Sequence, residues 1–156
     1  STSVYGDINA EVTEETTTKP CTESGKKLLA SENLFKNCPE LQTTIIRFGG
    51  LIGPDRHPIT MLSGRIGLTN GNAFINLIHL EDCIGIIKAI IQDDWWDELF
   101  NGVYPYHPTK QEYYSGEAQK RGLTVPVYSN TSLHPGKKIE SHRLIHVKKY
   151  HFNTPI

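Results

Sequence analysis

The chain is poor in the features that mark several specialised classes of protein. It holds three cysteines in 156 residues, Cys21, Cys38 and Cys83, an odd number spaced 17 and 45 apart. That pattern suits neither a disulfide framework nor a zinc site, so no metal is expected and the thiols point to a reducing, cytoplasmic setting. The longest apolar run, Cys83 to Ile91, is broken by Lys88. It is far too short to span a bilayer, and no secretory leader is visible, so no membrane association is expected. A net charge of −1 argues against a nucleic-acid surface. Internal repeats and low-complexity runs are absent. What is there, 37 % apolar and 21 % charged residues in a length sufficient for one core, is ordinary for a soluble globular protein.

The most informative stretch is Thr43-Thr44-Ile45-Ile46-Arg47-Phe48-Gly49-Gly50-Leu51-Ile52-Gly53-Pro54. Its four leading β-branched residues favour extended backbone and predict a short buried strand, which runs into a Gly-Gly turn closed by Gly-Pro. A strand ending in glycines brings bare backbone to the carboxyl edge of a sheet, where open α/β sheets bind ligands and where glycine admits a flat ligand close to the main chain. An ordinary buried strand with a loop satisfies the same residues.

Along the chain, residues 1–6 read as the end of a strand and residues 7–20, rich in Thr and Glu without period, as a solvated surface loop. Thr22 as N-cap and Glu23 in the first turn open a helix that Asn37 and Pro39 stop. Helix followed closely by the Thr-Ile-Ile strand is the second half of a β-α-β unit and predicts a parallel sheet. Residues 58–68 suggest a short helix around Met61 and Leu62, and 73–78 a short strand. Leu80, Cys83, Ile84, Ile87, Ile90 and Ile91 recur at three and four, predicting a helix with His79 and Asp82 holding its start. Trp95 and Trp96 read as packing anchors beyond its far end. Residues 102–106 suggest another strand, and His107-Pro108-Thr109 starts a helix that runs to Lys120 and ends at Gly122, around which His107, Tyr113 and Tyr114 pack. Residues 139–147 are either a modest helix or an extended segment.

Four of these pieces, in this order, carry a resemblance. Ser1-Thr2-Ser3-Val4-Tyr5-Gly6, the helix with Ser24-Gly25-Lys26-Lys27, Arg47 to Pro54, and Ile75-Asn76-Leu77-Ile78-His79-Leu80-Glu81-Asp82 together resemble the carboxy-terminal half of an extended short-chain dehydrogenase/reductase of the NAD-dependent epimerase/dehydratase group, which acts on nucleotide sugars. The resemblance implies an α/β fold: the end of a doubly wound, Rossmann-like parallel sheet (1–57 and 79–122) with a small substrate-side region (58–78 and 123–156). Proteins of that kind begin with a β-α-β unit whose Gly-rich turn holds the dinucleotide. No G-x-G-x-x-G occurs here, so the chain reads as a piece of a longer protein. It is not expected to bind NAD or NADP tightly by itself, and it is expected to self-associate through an exposed sheet edge.

The resemblance also implies site residues. Ser1 matches the hydroxyl residue that holds the reacting oxygen, and Lys27 or Lys26 the lysine that binds the nicotinamide ribose. The tyrosine expected four residues before that lysine is replaced by Glu23 before Lys27 or by Thr22 before Lys26, which marks an atypical member and leaves Tyr5 as a candidate displaced acid/base. Phe48, Gly49, Gly50, Leu51 and Ile52 match the segment along the nicotinamide ring. Ser3 and Asn76 match substrate-side polar positions, and Arg56 matches a contact to a substrate diphosphate. Two functions follow as expectations: an NAD(P)-dependent epimerase, dehydratase or reductase acting on a nucleotide sugar or related small carbonyl or alcohol, or a non-enzymatic regulator or assembly protein that binds a dinucleotide on the same fold.

Overall fold

The computed structural model describes residues 1–130 and 134–156. Its centre is one extended run in two parts, β2 (Ile45–Phe48) and β3 (Gly50–Ile52). β2 pairs in parallel with β6 (Leu99–Gly102), Ile45 opposite Leu99. β3 pairs in parallel with β5 (Leu77–His79), Gly50 opposite Leu77. The change of partner falls at Gly49, whose N–H goes to the Gly102 carbonyl at 3.0 Å while that of Gly50 goes to the Asn76 carbonyl at 2.8 Å. A Cβ on Gly49 would stand 2.5 Å from the Asn76 carbonyl oxygen. The close approach that this glycine permits is therefore to the chain's own backbone.

Helices pack around this run. α1 (Glu23–Lys36) precedes β2, with the Thr22 side chain accepting the N–H of Gly25 as expected of its cap. α3 (Leu80–Gln92) links β5 to β6, and α4 (Lys110–Lys120) opens with a capping box between Thr109 and Glu112. A single turn, α2 (Ile59–Leu62), lies between β3 and β4 (Leu68–Thr69). Two outlying parallel pairs join distant segments: β1 (Glu11–Val12) with β8 (Lys138–Ile139), and β4 with β7 (Tyr128–Asn130). The result is a mixed α/β fold in which every strand pair among the described residues is parallel, as the helix-then-strand pattern predicts.

Three apolar clusters hold it. Val4, Tyr5, Val12, Val103 and Ile139 form one. Ile78, Cys83, Ile86, Ile90, Phe100 and Leu144 form the second, under α3. Ile52, Ile59, Ile75, Leu77, Tyr113, Tyr114 and Ala118 form the third, under α4. In the second cluster Cys83, Ile86 and Ile90, and in the third Tyr114 and Ala118, recur at three and four along their helices, which is how the 3.6-residue period delivers one stripe to a sheet.

The two sheet edges are treated differently. On the outer side of β6, the Glu14 carboxylate accepts the Asn101 N–H at 2.9 Å, and the Ser141 hydroxyl accepts the Val103 N–H and donates back to the Val103 carbonyl, both at 2.8 Å. Side chains thus occupy groups that another strand would use. β2 has no partner on its other side among the described residues. Beside it, Leu80, Ile84, Ile87 and Ile91 of α3 are 39–59 % exposed.

Several boundaries differ from the sequence reading. Residues 2–5 form a 3₁₀ turn rather than a strand end. The 7–20 segment is not simply solvated: Val12 is buried in the β1–β8 pair and Glu14 is 5 % exposed. The strand expected at 73–78 is ordered only over Leu77–His79, because Ala73, Phe74 and Ile75 donate to three different segments, at Asn70, Pro135 and Pro108. The strand expected at 102–106 lies earlier, at Leu99–Gly102, since α3 ends at Gln92 and left-handed Asp94 and Asp97 turn the chain back sooner. Residues 139–147 are partly strand and partly a π-helical turn, Arg143–Val147. His79 does cap α3, accepting the N–H of Glu81. Asp82 instead accepts the N–H groups of Asn153 and Thr154, and so ties down the last residues.

Candidate functional site

The 3₁₀ turn at the start of the chain is held from three sides. Ser1 caps it, its hydroxyl accepting the Ser3 N–H at 3.4 Å. Gly6 takes φ 72° where a Cβ would run into the Lys19 carbonyl. From the far end of the sequence, the Lys137 ammonium donates to the carbonyls of Gly6, at 2.6 Å, and Thr2, at 3.3 Å. Burial pulls the Lys137 pKa below the ordinary lysine range, with Asp7 opposing. The Ser3 hydroxyl is shielded and has no partner among the described residues. The N-terminus of α1 abuts the turn, since a Cβ on Gly25 would lie 3.1 Å from the Ser3 carbonyl. Lys27, two residues on, is exposed on α1. Its neighbour Lys26 pairs with Glu23 at 2.7 Å, both side chains largely exposed.

Tyr5 occupies a different environment. Its ring is fully buried, and its hydroxyl donates to the Asn101 side-chain oxygen at 2.7 Å. The Arg47 guanidinium sits 4.9 Å above the ring and is itself gripped by Glu32. Burial raises the Tyr5 pKa, against the lowering influence of Arg47. Tyr5 is thus a core residue of the first cluster, a placement that sequence alone did not anticipate.

Two concavities lie among these elements. A cleft of about 460 Å³ opens between the segment after the 3₁₀ turn, residues 70–76 and residues 134–137; Asp7, Asn9, Lys110 and Lys137 give it polar walls. Asn76 also lines it, yet both ends of its amide are committed: the nitrogen donates to the Lys137 carbonyl at 2.9 Å and the oxygen accepts the Ile139 N–H at 2.8 Å. The second concavity, about 310 Å³ and mostly apolar, brings together Phe48, Leu51, Ile52 and Arg56 with Leu80 and Cys83. Arg56 stands in a tight turn closed by reciprocal backbone bonds with Gly53. Burial, with Asp82 adding to it, pushes the Cys83 thiol up to about 11, so it carries little thiolate near neutral pH and is an unreactive wall.

The residues singled out from sequence therefore fall into two groups: Ser1, Ser3, Tyr5 and Lys27 around the turn and α1, and Phe48, Leu51, Ile52 and Arg56 around the apolar recess. Gly49 and Gly50 lie on the run between β2 and β3, and Asn76 is a clip in the polar cleft. Lys137 was not foreseen. It lies 131 residues from the carbonyl it holds, in a Pro-Gly-Lys-Lys segment with no periodicity to place it.

With this geometry, the parallel pairs around a glycine-broken strand and the helices beside it make a Rossmann-like α/β fold, shared with part of the solved epimerase and dehydratase structures. Among solved structures, MoeE5 in complex with UDP-glucuronic acid and NAD superposes with a TM-score of 0.80 at 20 % identity, over 99 % of this chain and 58 % of that one. The UDP-glucuronic acid 4-epimerase of Bacillus cereus in complex with NAD gives 0.77 at 17 % identity, over 99 % and 53 %. A conserved protein of unknown function from Silicibacter pomeroyi gives 0.85 at 22 %, over 99 % and 60 %. In sequence, the chain is 35 % identical over 156 residues to Protein YeeZ of Escherichia coli K12, covering 99 % of this chain and 57 % of that protein. The chain thus spans little more than half the length of the curated relatives it matches. No protein-family profile matches it.

Proposed function

We propose that the chain is the substrate-side part of an NAD(P)-dependent epimerase, dehydratase or reductase-like protein acting on a nucleotide sugar or a related small carbonyl or alcohol. The observation that carries this reading is the held 3₁₀ turn, with Ser1 and Ser3, set against the N-terminus of α1 beside a polar cleft. The superposition on proteins that hold NAD, one of them with UDP-glucuronic acid, supports it. Residues 1–57 and 79–122 supply the end of the Rossmann-like sheet; residues 58–78 and 123–156 form the substrate side.

In this reading Ser1 orients the reacting oxygen, Lys27 takes the nicotinamide ribose, and Phe48 to Ile52 line the nicotinamide ring. Ser3, Asn76 and Arg56 belong to the substrate side. NAD or NADP carries the hydride when bound. Of these residues Asn76 acts through Lys137 and Ile139, which it fixes at the cleft wall. Lys137, in turn, fixes the carbonyls that shape the turn.

A second reading has a specific observation in its favour. The position four residues before Lys27 holds Glu23, an exposed carboxylate paired with Lys26. It offers no phenol to carry a proton near neutral pH, and Tyr5 is sealed in the core. That favours a dinucleotide-binding regulator or assembly protein without turnover. The open edge of β2 and the exposed α3 stripe support self-association.

Calorimetry with NAD, NADH and their phosphorylated forms, on the protein carrying its full sequence, is the first test; binding is expected there and not on residues 1–156 alone. Turnover of a UDP- or dTDP-sugar that falls when Ser1 becomes Ala, with cofactor binding kept, supports the enzyme. Binding without turnover supports the regulator. No dinucleotide binding by the full-length protein overturns both.

A further inference from the structure

The π-helical turn Arg143–Val147 and the residue before it carry a histidine pair that the reading above does not use. His142 and His146 are both exposed, and their rings face each other with centroids 4.7 Å apart and planes at 45°. Among the described residues neither imidazole has a hydrogen bond or ion pair, so the ring contact is all that engages them. Two imidazoles that ligate one metal ion through nitrogens about 2.0–2.1 Å from it stand with their centroids about 4.5–5 Å apart. The pair already has that spacing.

The fold fixes the backbone that carries the two rings. Leu144, between the two histidines, is fully buried in the cluster under α3. The Ser141 hydroxyl is locked onto Val103, and the Arg143 N–H points to the Glu14 carboxylate. Backbone bonds from Ile145 to Ser141 and from Lys148 to Arg143 close the turn. The wider winding sets positions four apart nearly in line on one face, and such turns recur at functional sites. Two neighbouring cations are turned away: Arg143 onto Glu15 and Glu98, and Lys148 onto Glu98. Their charge is thereby offset next to the pair.

We infer that His142 and His146 form a chelating site for a divalent transition-metal ion on the outside of the domain. Imidazole donors on a rigid turn select borderline metals, with Cu2+ held more tightly than Ni2+ or Zn2+. Two protein ligands leave the remaining coordination positions to water or to an incoming donor from another molecule. Binding uses a ring nitrogen lone pair from each histidine, so protons compete with the metal for the site.

The test uses the untagged chain and Cu2+ alone, titrated by calorimetry with electron paramagnetic resonance on the complex. The expected result is one Cu2+ per chain with nitrogen superhyperfine structure. Affinity drops by an order of magnitude or more in either His142→Gln or His146→Gln and is unchanged in His151→Gln, an exposed histidine outside the pair. Circular dichroism should be the same for all variants, since both rings lie on the surface. Copper affinity unchanged in the double His142→Gln/His146→Gln variant, or nitrogen couplings that persist in it, overturns the site. So does failure of the unmodified chain to bind any of the three metals.

Discussion

Arg47 and Glu32, fifteen residues apart, meet in a two-pronged ion pair: Nε lies 3.2 and 3.1 Å from the two carboxylate oxygens and Nη2 2.7 Å from one of them. Their side chains are 7 % and 12 % exposed. The pair fastens α1 to β2, and through the cation above the Tyr5 ring it fastens both to the 3₁₀ turn. Removing one partner leaves a buried charge uncompensated, at a cost of about 3–5 kcal/mol, whereas replacing both with apolar residues of similar size is far milder. Glu32→Ala is therefore expected to lower the free energy of unfolding in urea by that amount. Glu32→Leu combined with Arg47→Met should recover most of it. Equal losses in the two variants would show that the pair is not a coupled unit.

Glycine tolerance should split sharply between two positions. At Gly49 the atom in the way is a backbone carbonyl oxygen, which cannot swing aside. Gly49→Ala forces the β2–β3 run away from residue 76 and should destabilise by about 1–3 kcal/mol, the usual cost of overpacking. Gly116 lies inside α4, and a Cβ there would meet nothing within 4 Å. Gly116→Ala should stabilise by about 0.5–1 kcal/mol through helix propensity. Thermal unfolding of the two variants reads both signs at once.

Two buried histidines make the fold sensitive to acid. His57 is lowered by burial and by Arg121, with Glu117 opposing; its Nδ1 accepts the Ile59 N–H and its Nε2 lies 3.0 Å from the Tyr113 hydroxyl. His107 is lowered by burial, with its contact to the Ile75 carbonyl and the Glu140 charge opposing. A histidine with a folded pKa below its unfolded value of 6.5 contributes full stability above that value. The contribution is lost as pH falls below it, because the unfolded chain takes up the proton first. Chemical unfolding between pH 7.5 and pH 5 should show this loss. His107→Gln, which removes one titrating group, should give a shallower fall than the parent chain; an unchanged slope would rule out a neutral buried His107.

What the sequence made legible follows from how local each signal is. The cap of α1 and the period of α3 are written within four residues of where they act, and Thr22 and His79 perform as read. The parallel pairing followed from the order of helix and strand. Contacts across long separations could not be read: Glu14 reaches Asn101 over 87 residues, and Lys137 reaches Gly6 over 131. Tyr5 was a candidate for chemistry because the tyrosine expected before Lys27 is absent, yet Val12, Val103 and Ile139 bury it. The glycines of the central run were legible as a place of close approach, but what approaches Gly49 is the carbonyl of Asn76.

That same Asn76 offers a test of how the cleft is built. Its amide is the clip between residues 75–77 and the β8 segment, donating to the Lys137 carbonyl and accepting the Ile139 N–H. Loss of both bonds leaves two backbone groups to find water and frees the segment that carries the Lys137 ammonium. Asn76→Ala should cost about 1–3 kcal/mol, and amide exchange should quicken first at Ile139 and the β1–β8 pair, then at Gly6 and the 3₁₀ turn that Lys137 holds. Asn76→Asp keeps the acceptor for Ile139 and should protect that amide while residue 137 stays loose. If Asn76→Ala speeds exchange evenly over the whole domain, the residue is part of the general core and not the hinge pin of the cleft wall.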